Sequence, residues 1–427
     1  MKRVYNKFFD ETYYTETLDN GLKVVIFHKP DFSSTNCAFG TPYGALMINE
    51  KVGNKEYSFN PGIAHFIEHK LFEAKGDDMM AAFSSMGAEV NAFTSYRETV
   101  YYFSKTGKDI KKPLNMLLDF VQDLNISEES VEKEKGIISQ EVSMYEQQPD
   151  SRLLREAYKC MYHNYPIKYD IGGDLKSVYA ITKKELEECY KLNYHPSNML
   201  LSITTPIDPK KIIKIIKENQ ANKKFDSKVI IQINNKKEPK QVVRKSYSFK
   251  MPIATSKHLL AIKTEPKFKD ANEAFKAEWC LRFLLEAHFS PLNPEYQTWL
   301  DEGIINEYFG FEVDFDVNVG YIMFYIENDD KKVLKKLVKD SLKKKLLTKD
   351  LLTQIKRRYI GVSFTVFNDV ESFNLGYIRD SLNGLDFFKA LNDLKSISLK
   401  DVEKVWESLD FSNETYISML KNEKKWE

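Results

Sequence analysis

Two hydrophobic periods alternate along this chain. Residues 22–27, LKVVIF, form a short apolar run behind the turn Asp19-Asn20-Gly21 and predict a buried strand. Residues 88–103, AEVNAFTSYRETVYYF, predict two strands around a polar turn. Helical spacing follows over 113–124 and 128–147, and again over 273–288. Residues 310–327, GFEVDFDVNVGYIMFYIE, alternate faces and predict a hairpin. Helices and strands come in runs without strict βαβ alternation, which indicates an α+β fold.

One internal repeat organises these elements. Residues 181–204 read ITKKELEECYKLNYHPSNMLLSIT, and residues 397–420 read ISLKDVEKVWESLDFSNETYISML. The offset is 397 − 181 = 216, close to half of 427 residues. Each copy reads as an amphipathic helix followed by an apolar strand. The expectation is a duplicated domain: 1–218, a basic and polar linker at 219–245, and a homologous 246–427, each with a mixed or antiparallel sheet packed with helices.

Composition narrows the classes. Apolar residues make up 42% and charged residues 29%, which is globular. Lys+Arg 63 against Asp+Glu 62 lacks the basic excess of a nucleic-acid binder. Cys37, Cys160, Cys189 and Cys280 form no CxxC pair, so reduced, buried thiols are expected. No apolar run has the length of a signal peptide or a membrane span, and a cytoplasmic, soluble protein is the default. Neither GxxxxGK[ST] nor GxGxxG occurs, so nucleotide chemistry has no support.

The stretch that carries chemistry is 60–73, NPGIAHFIEHKLFE. Asn60 suits an N-cap and Pro61 the first helical position. Apolar residues occupy most faces of the helix that follows, so it is buried. His65 and His69 differ by roughly 40° around the axis, and one divalent metal can bridge them. Glu68 lies on the same side without pointing at the same spot. A carboxylate there is costly unless it is paired.

A catalytic zinc usually takes three protein ligands. The helix at 128–147 offers the third. Ser127 caps it, Glu128 and Glu129 suit its first turn, and Pro149 stops it. Val131, Glu134, Ile138, Glu141 and Tyr145 fall within an arc of roughly 80°. Two glutamates thus share an apolar stripe, as candidates for ligand and supporting group. Helix geometry does not choose between them.

With these residues in view, the chain resembles the pitrilysin/insulinase peptidases. His65-x-x-Glu68-His69 matches the inverted-zincin motif, and a Glu-x6-Glu helix follows at the family's spacing, here 141 − 69 = 72. Tyr194-His195-Pro196-Ser197-Asn198 resembles the stretch ending the family's first domain, and the single two-domain unit is most like a bacterial branch. The resemblance implies a zinc metalloendopeptidase with one Zn2+ per chain on His65, His69 and Glu141. Glu134 supports the site and Glu68 is the general base. A short or unfolded peptide would lie along Asn91, Ala92 and Thr94. The alternative is a non-catalytic scaffold or peptide-binding subunit of the same fold, associated with modification of elongation factor P.

One departure bears on partners. Active units of the family carry an Arg and a Tyr seven residues apart in the second domain. Registered on Gly303, those slots hold Trp299 and Asn306, and no arginine occurs from 283 to 356. His288 does not replace it. The second half therefore reads as matched in fold and empty in chemistry. The expected partner is a homologous zinc-less chain, forming a heterodimer around a closed chamber, or a second copy in a homodimer. Nucleic acid and membrane are not expected partners.

Overall fold

The computed structural model describes residues 1–73 and 79–422. Its strands are β1 (Lys2–Asn6), β2 (Glu11–Thr17), β3 (Lys23–His28), β4 (Ser34–Thr41), β5 (Asn49–Val52), β6 (Lys55–Ser58), β7 (Ala88–Thr94), β8 (Thr99–Thr106), β9 (Leu200–Thr205), β10 (Gln232–Ile233), β11 (Ser246–Met251), β12 (Lys257–Thr264), β13 (Gly310–Phe315), β14 (Gly320–Glu327) and β15 (Glu414–Lys421). They form sheets in the orders β1-β2-β3-β9-β4-β8-β7 and β11-β15-β12-β14-β13, plus a small sheet β10-β5-β6.

The two large sheets repeat one plan. β3 runs parallel to β9, and β4, β8 and β7 follow antiparallel in turn. β11 runs parallel to β15, and β12, β14 and β13 follow in the same senses. The sequence repeat supplies the matching pieces: the helix Lys183–Asn193 leads into β9, and the helix Leu399–Ser408 leads into β15. Thr182 accepts from the Glu185 N–H and Ser398 from the Asp401 N–H, so even the caps are spaced 398 − 182 = 216 residues apart. The α+β fold of two like domains is the one expected.

The compact units do not follow the halves of the chain. One contains 1–143, 169–235 and 364–387; the other contains 144–168, 236–363 and 388 onward. The helix Val370–Leu382 thus packs on β4 and β9 of the first unit, and the helix Pro149–Met161 on β12 and β15 of the second. A buried amide fixes the first of these helices. Asn374 donates to Asn36 Oδ1 at 2.6 Å and accepts from Ser202 Oγ at 2.6 Å. Sequence order does not say which sheet an amphipathic helix will cover. The expected linker at 219–245 is also partly built in. Ala221 ends a helix, β10 pairs with β5, and Glu238 accepts the N–H groups of His163, Asn164 and Tyr165 and the Lys263 ammonium.

All four cysteines are free and buried, and no helix among the described residues is long and apolar enough to cross a membrane. A buried carboxyl on β5 gives a pH signature. Burial pushes Glu50 up from 4.5 to about 7, against one hydrogen bond from Asn193. Between these values the unfolded chain has lost a proton that the folded chain keeps, so stability falls as pH rises from about 4.5 to about 7 and then levels. Glu50→Gln is expected to flatten that slope, worth on the order of 3 kcal/mol, in urea melts taken across this range. An unchanged slope would remove Glu50 as its source.

Candidate metal centre

The motif helix spans Ile63–Phe72 and buries Ile63, Ala64, Phe66, Ile67 and Leu71 in the first unit's core. Its start differs from the expected cap. The cap residue is Gly62, with φ of 94°, and no side chain caps it. Asn60 is engaged elsewhere: its backbone N–H and its amide both donate to the Glu185 carboxylate. Gly62 is required by space as well as by φ, since a Cβ there would lie 2.5 Å from the Gly172 carbonyl oxygen. The 170–173 turn consequently closes against the helix. A Cβ on Gly172 would come 3.7 Å from His65 Nδ1.

The second helix runs Glu128–Gln147, as predicted, with Ser127 Oγ accepting from the Ser130 N–H. It brings both glutamates to the histidines and separates their roles. Glu141 lies 3.8 Å from His65 Nε2 and 3.5 Å from His69 Nε2. Glu134 lies 3.0 Å from His69 Nδ1, on the other edge of that ring. Donor atoms of His65, His69 and Glu141 all fall within 4.8 Å of one another. Glu68 stands beside this trio, with Thr94 Oγ1 donating to its Oε2 at 2.8 Å.

This donor set fits a divalent metal such as zinc. Two imidazoles and one carboxylate converge, matching the His2Glu class of catalytic sites. Pairing with the Glu134 carboxylate puts the His69 proton on Nδ1 and leaves Nε2 as a lone-pair donor. Burial, and then the neighbouring His69, pushes His65 down to about 3, so its ring is neutral at physiological pH. Burial works to lower His69 as well, but hydrogen bonding to Glu134 and the charges of Glu68, Glu134 and Glu141 raise it overall. Three carboxylates that favour a proton here also favour a metal cation. Burial raises Glu68, against the Thr94 hydrogen bond that lowers it.

One member of the site was not anticipated. The Lys70 side chain is fully buried, 3.4 Å from Glu134 Oε2 and in contact with Glu73. Glu134 is thereby held between an imidazole and an ammonium, and although burial opposes it, its pKa is lowered. The available signal was a lysine inside an apolar helix with a glutamate three residues on. Of the strand residues, Thr94 and Ala92 are on the face toward the motif helix. Asn91 is on the opposite face, its Oδ1 accepting from the Ala92 N–H at 2.8 Å. In the second unit, Trp299 is packed in the core and Asn306 donates to Glu327 Oε2 at 2.8 Å. His288 is buried with Nδ1 3.2 Å from Ser341 Oγ. None of the three forms part of a metal-binding group among the described residues.

The chain is similar to known proteins in sequence and in fold. The family model for insulinase (peptidase family M16) matches residues 53–174, and that for the peptidase M16 inactive domain matches 180–359. The chain is 36% identical over 409 residues to the uncharacterized zinc protease YmfH of Bacillus subtilis, covering 95% of both chains. Its fold is similar to an M16-like peptidase of Alicyclobacillus acidocaldarius, with a TM-score of 0.90, 30% identity, and coverage of 96% of this chain and 99% of that one. A Schizosaccharomyces pombe protein named as mitochondrial-processing peptidase subunit beta is 27% identical over 205 residues, 47% of this chain and 43% of that one.

Proposed function

The chain belongs to the insulinase family of peptidases, M16, and from that premise we propose that it is a zinc-dependent endopeptidase of short or unfolded peptides. His65, His69 and Glu141 hold the metal, Glu134 orients His69, and Glu68 is the general base. The observation that carries this reading is Glu68. It is a carboxylate beside the metal-binding trio, held by Thr94 at Oε2 and close enough to His69 and Glu141 to feel their charges.

Zinc in this seat supplies Lewis acidity toward the scissile carbonyl and toward water. The remaining work falls to the chain. Glu68 Oε1 takes the proton of the attacking water and returns it to the leaving amine nitrogen. Thr94 holds Oε2, so the carboxylate cannot swing away. The peptide pairs with β7, the outer strand of its sheet, along Asn91, Ala92 and Thr94. Backbone pairing of this kind holds many sequences, which suits an enzyme for unfolded chains. Free, buried cysteines accord with a cytoplasmic setting.

We assign the chain the zinc-bearing role in a two-chain enzyme. Trp299 and Asn306 are taken up by packing and by Glu327, so the second unit offers no Arg–Tyr clamp at those positions. The S. pombe relative is itself named as a subunit. Misplaced substrate gains little from a metal, because positioning supplies much of a rate. The isolated chain is expected to cleave unstructured peptides weakly, and a homologous zinc-less chain bearing Arg and Tyr is expected to raise the rate by about 10²-fold or more. Steady-state assays of each chain and of the mixture check this. Full activity from a chain shown to be monomeric would sink the division of labour, and intact peptides in every mixture would favour the scaffold.

A further inference from the structure

The face of the first sheet turned away from the metal site carries its own pattern. β7 presents Ala88, Val90, Ala92 and Thr94 to the motif-helix side and Glu89, Asn91 and Phe93 to the other. Val100, Tyr102 and Ser104 of β8 lie opposite Phe93, Asn91 and Glu89. The helix Val370–Leu382 covers this far face at β4 and β9 and reaches toward β8 and β7 with its side chains. Its Glu371 accepts from Ser104 Oγ at 2.6 Å, and its Arg379 stands 5.4 Å over the Phe93 ring.

Two opposite charges therefore border the open strand. Arg379 is anchored through Nε to the buried Glu98 at 3.1 Å, while its side chain remains 56% exposed. Anchoring fixes the guanidinium and leaves its two terminal nitrogens as donors. At the other end Glu371 and the exposed Glu89 form an acidic pair, and both raise the Tyr102 pKa after the larger effect of burial. Arg379 and Glu371 are eight helical residues apart, about 12 Å along the axis. Phe93 and Glu89 are four strand residues apart, about 13 Å. The two spacings agree, so the charges sit in register with the strand.

We propose that this far face reads charge in the bound peptide: Arg379 receives an acidic side chain opposite Phe93, and Glu89 with Glu371 receives a basic side chain four residues away. A peptide paired with β7 sends alternate side chains to this face, so residues four apart both reach it. The metal side reads the backbone at the cleaved bond, and the far side adds a preference for polarity along the chain. The proposal rests on the β7 reading of substrate binding given above.

The test uses fluorescein-labelled, unstructured peptides and the zinc-loaded Glu68→Gln protein, with affinity read by anisotropy. One peptide has Asp and Lys four residues apart, a second has them in reverse order, and a third has neither. One charged order is expected to bind about fivefold to tenfold tighter than the reverse. Arg379→Gln is expected to abolish the gain from Asp, and Glu89→Lys the gain from Lys, each as a ratio to the neutral peptide. Glu89 is exposed on a strand, so the second variant reports even if the first disturbs the 95–98 turn. Equal binding of all three peptides would overturn the charge reading and leave the β7 reading intact. Binding of none would overturn both.

Discussion

Glu68→Gln is expected to cut turnover by about 10²- to 10⁴-fold while zinc content stays at the wild-type level. The substitution keeps the size and planarity of the side chain. Thr94 can still donate to the one remaining oxygen, so the packing of β7 against the motif helix survives. What is lost is an oxygen that accepts a proton near neutral pH. The binding trio is untouched, because Glu68 is no part of it. Stability offers an internal control. Burial already penalises the charged Glu68, so a neutral amide is not expected to lower the melting temperature. Metal analysis, a melt and a peptide-cleavage assay on one preparation separate these effects. Wild-type turnover in a contaminant-free preparation would end the case for Glu68 as base.

The difference between what the sequence foretold and what it hid follows from range. The helix at 128–147 was legible because its cap, its acidic first turn and its terminating Pro149 are all local signals. The His65–His69 pair was legible because four residues on a helix fix an angle without knowledge of any neighbour. Glu134 and Glu141 could not be told apart from geometry. They are roughly 20° apart around their own helix and about 10 Å apart along it, so what separates them is where along its length the motif helix meets it. The packing of the two helices brings Glu134 to Nδ1 of His69 and Glu141 to both Nε2 atoms, a distinction made by two segments more than 60 residues apart. The choice of Glu141 as ligand came from family resemblance; helix geometry alone did not supply it. Lys70 was hidden for a similar reason. A buried ammonium needs partners, and besides the local Glu73 it finds Glu134 and the Ser130 carbonyl, both on the other helix. The helices exchanged between sheets were hidden too, since Asn374 finds its partners in Asn36 and Ser202 far away in the chain.

His65→Ala, His69→Ala and Glu141→Ala are each expected to strip most of the zinc and to bring activity to background, the largest loss foreseen for any single change in this chain. Two remaining donors hold a divalent ion far less tightly than three. Glu141 in particular is 29% exposed, so its truncation leaves the fold intact and isolates the metal effect. Glu134→Ala makes the informative contrast. It removes the carboxylate that holds the His69 proton on Nδ1 but removes no donor from the trio. Its expected cost is about 10- to 100-fold in zinc affinity, with activity recovered by added zinc. It also takes from the buried Lys70 one of its two carboxylate partners and leaves Glu73, so a modestly lower melting temperature is expected for this variant and not for Glu141→Ala. Zinc titration against a chelating indicator, with melts on the same samples, measures both quantities. Undiminished zinc in the Glu141 variant would displace it from the metal, and zinc loss in Glu134→Ala that saturating metal cannot reverse would make Glu134 the ligand instead.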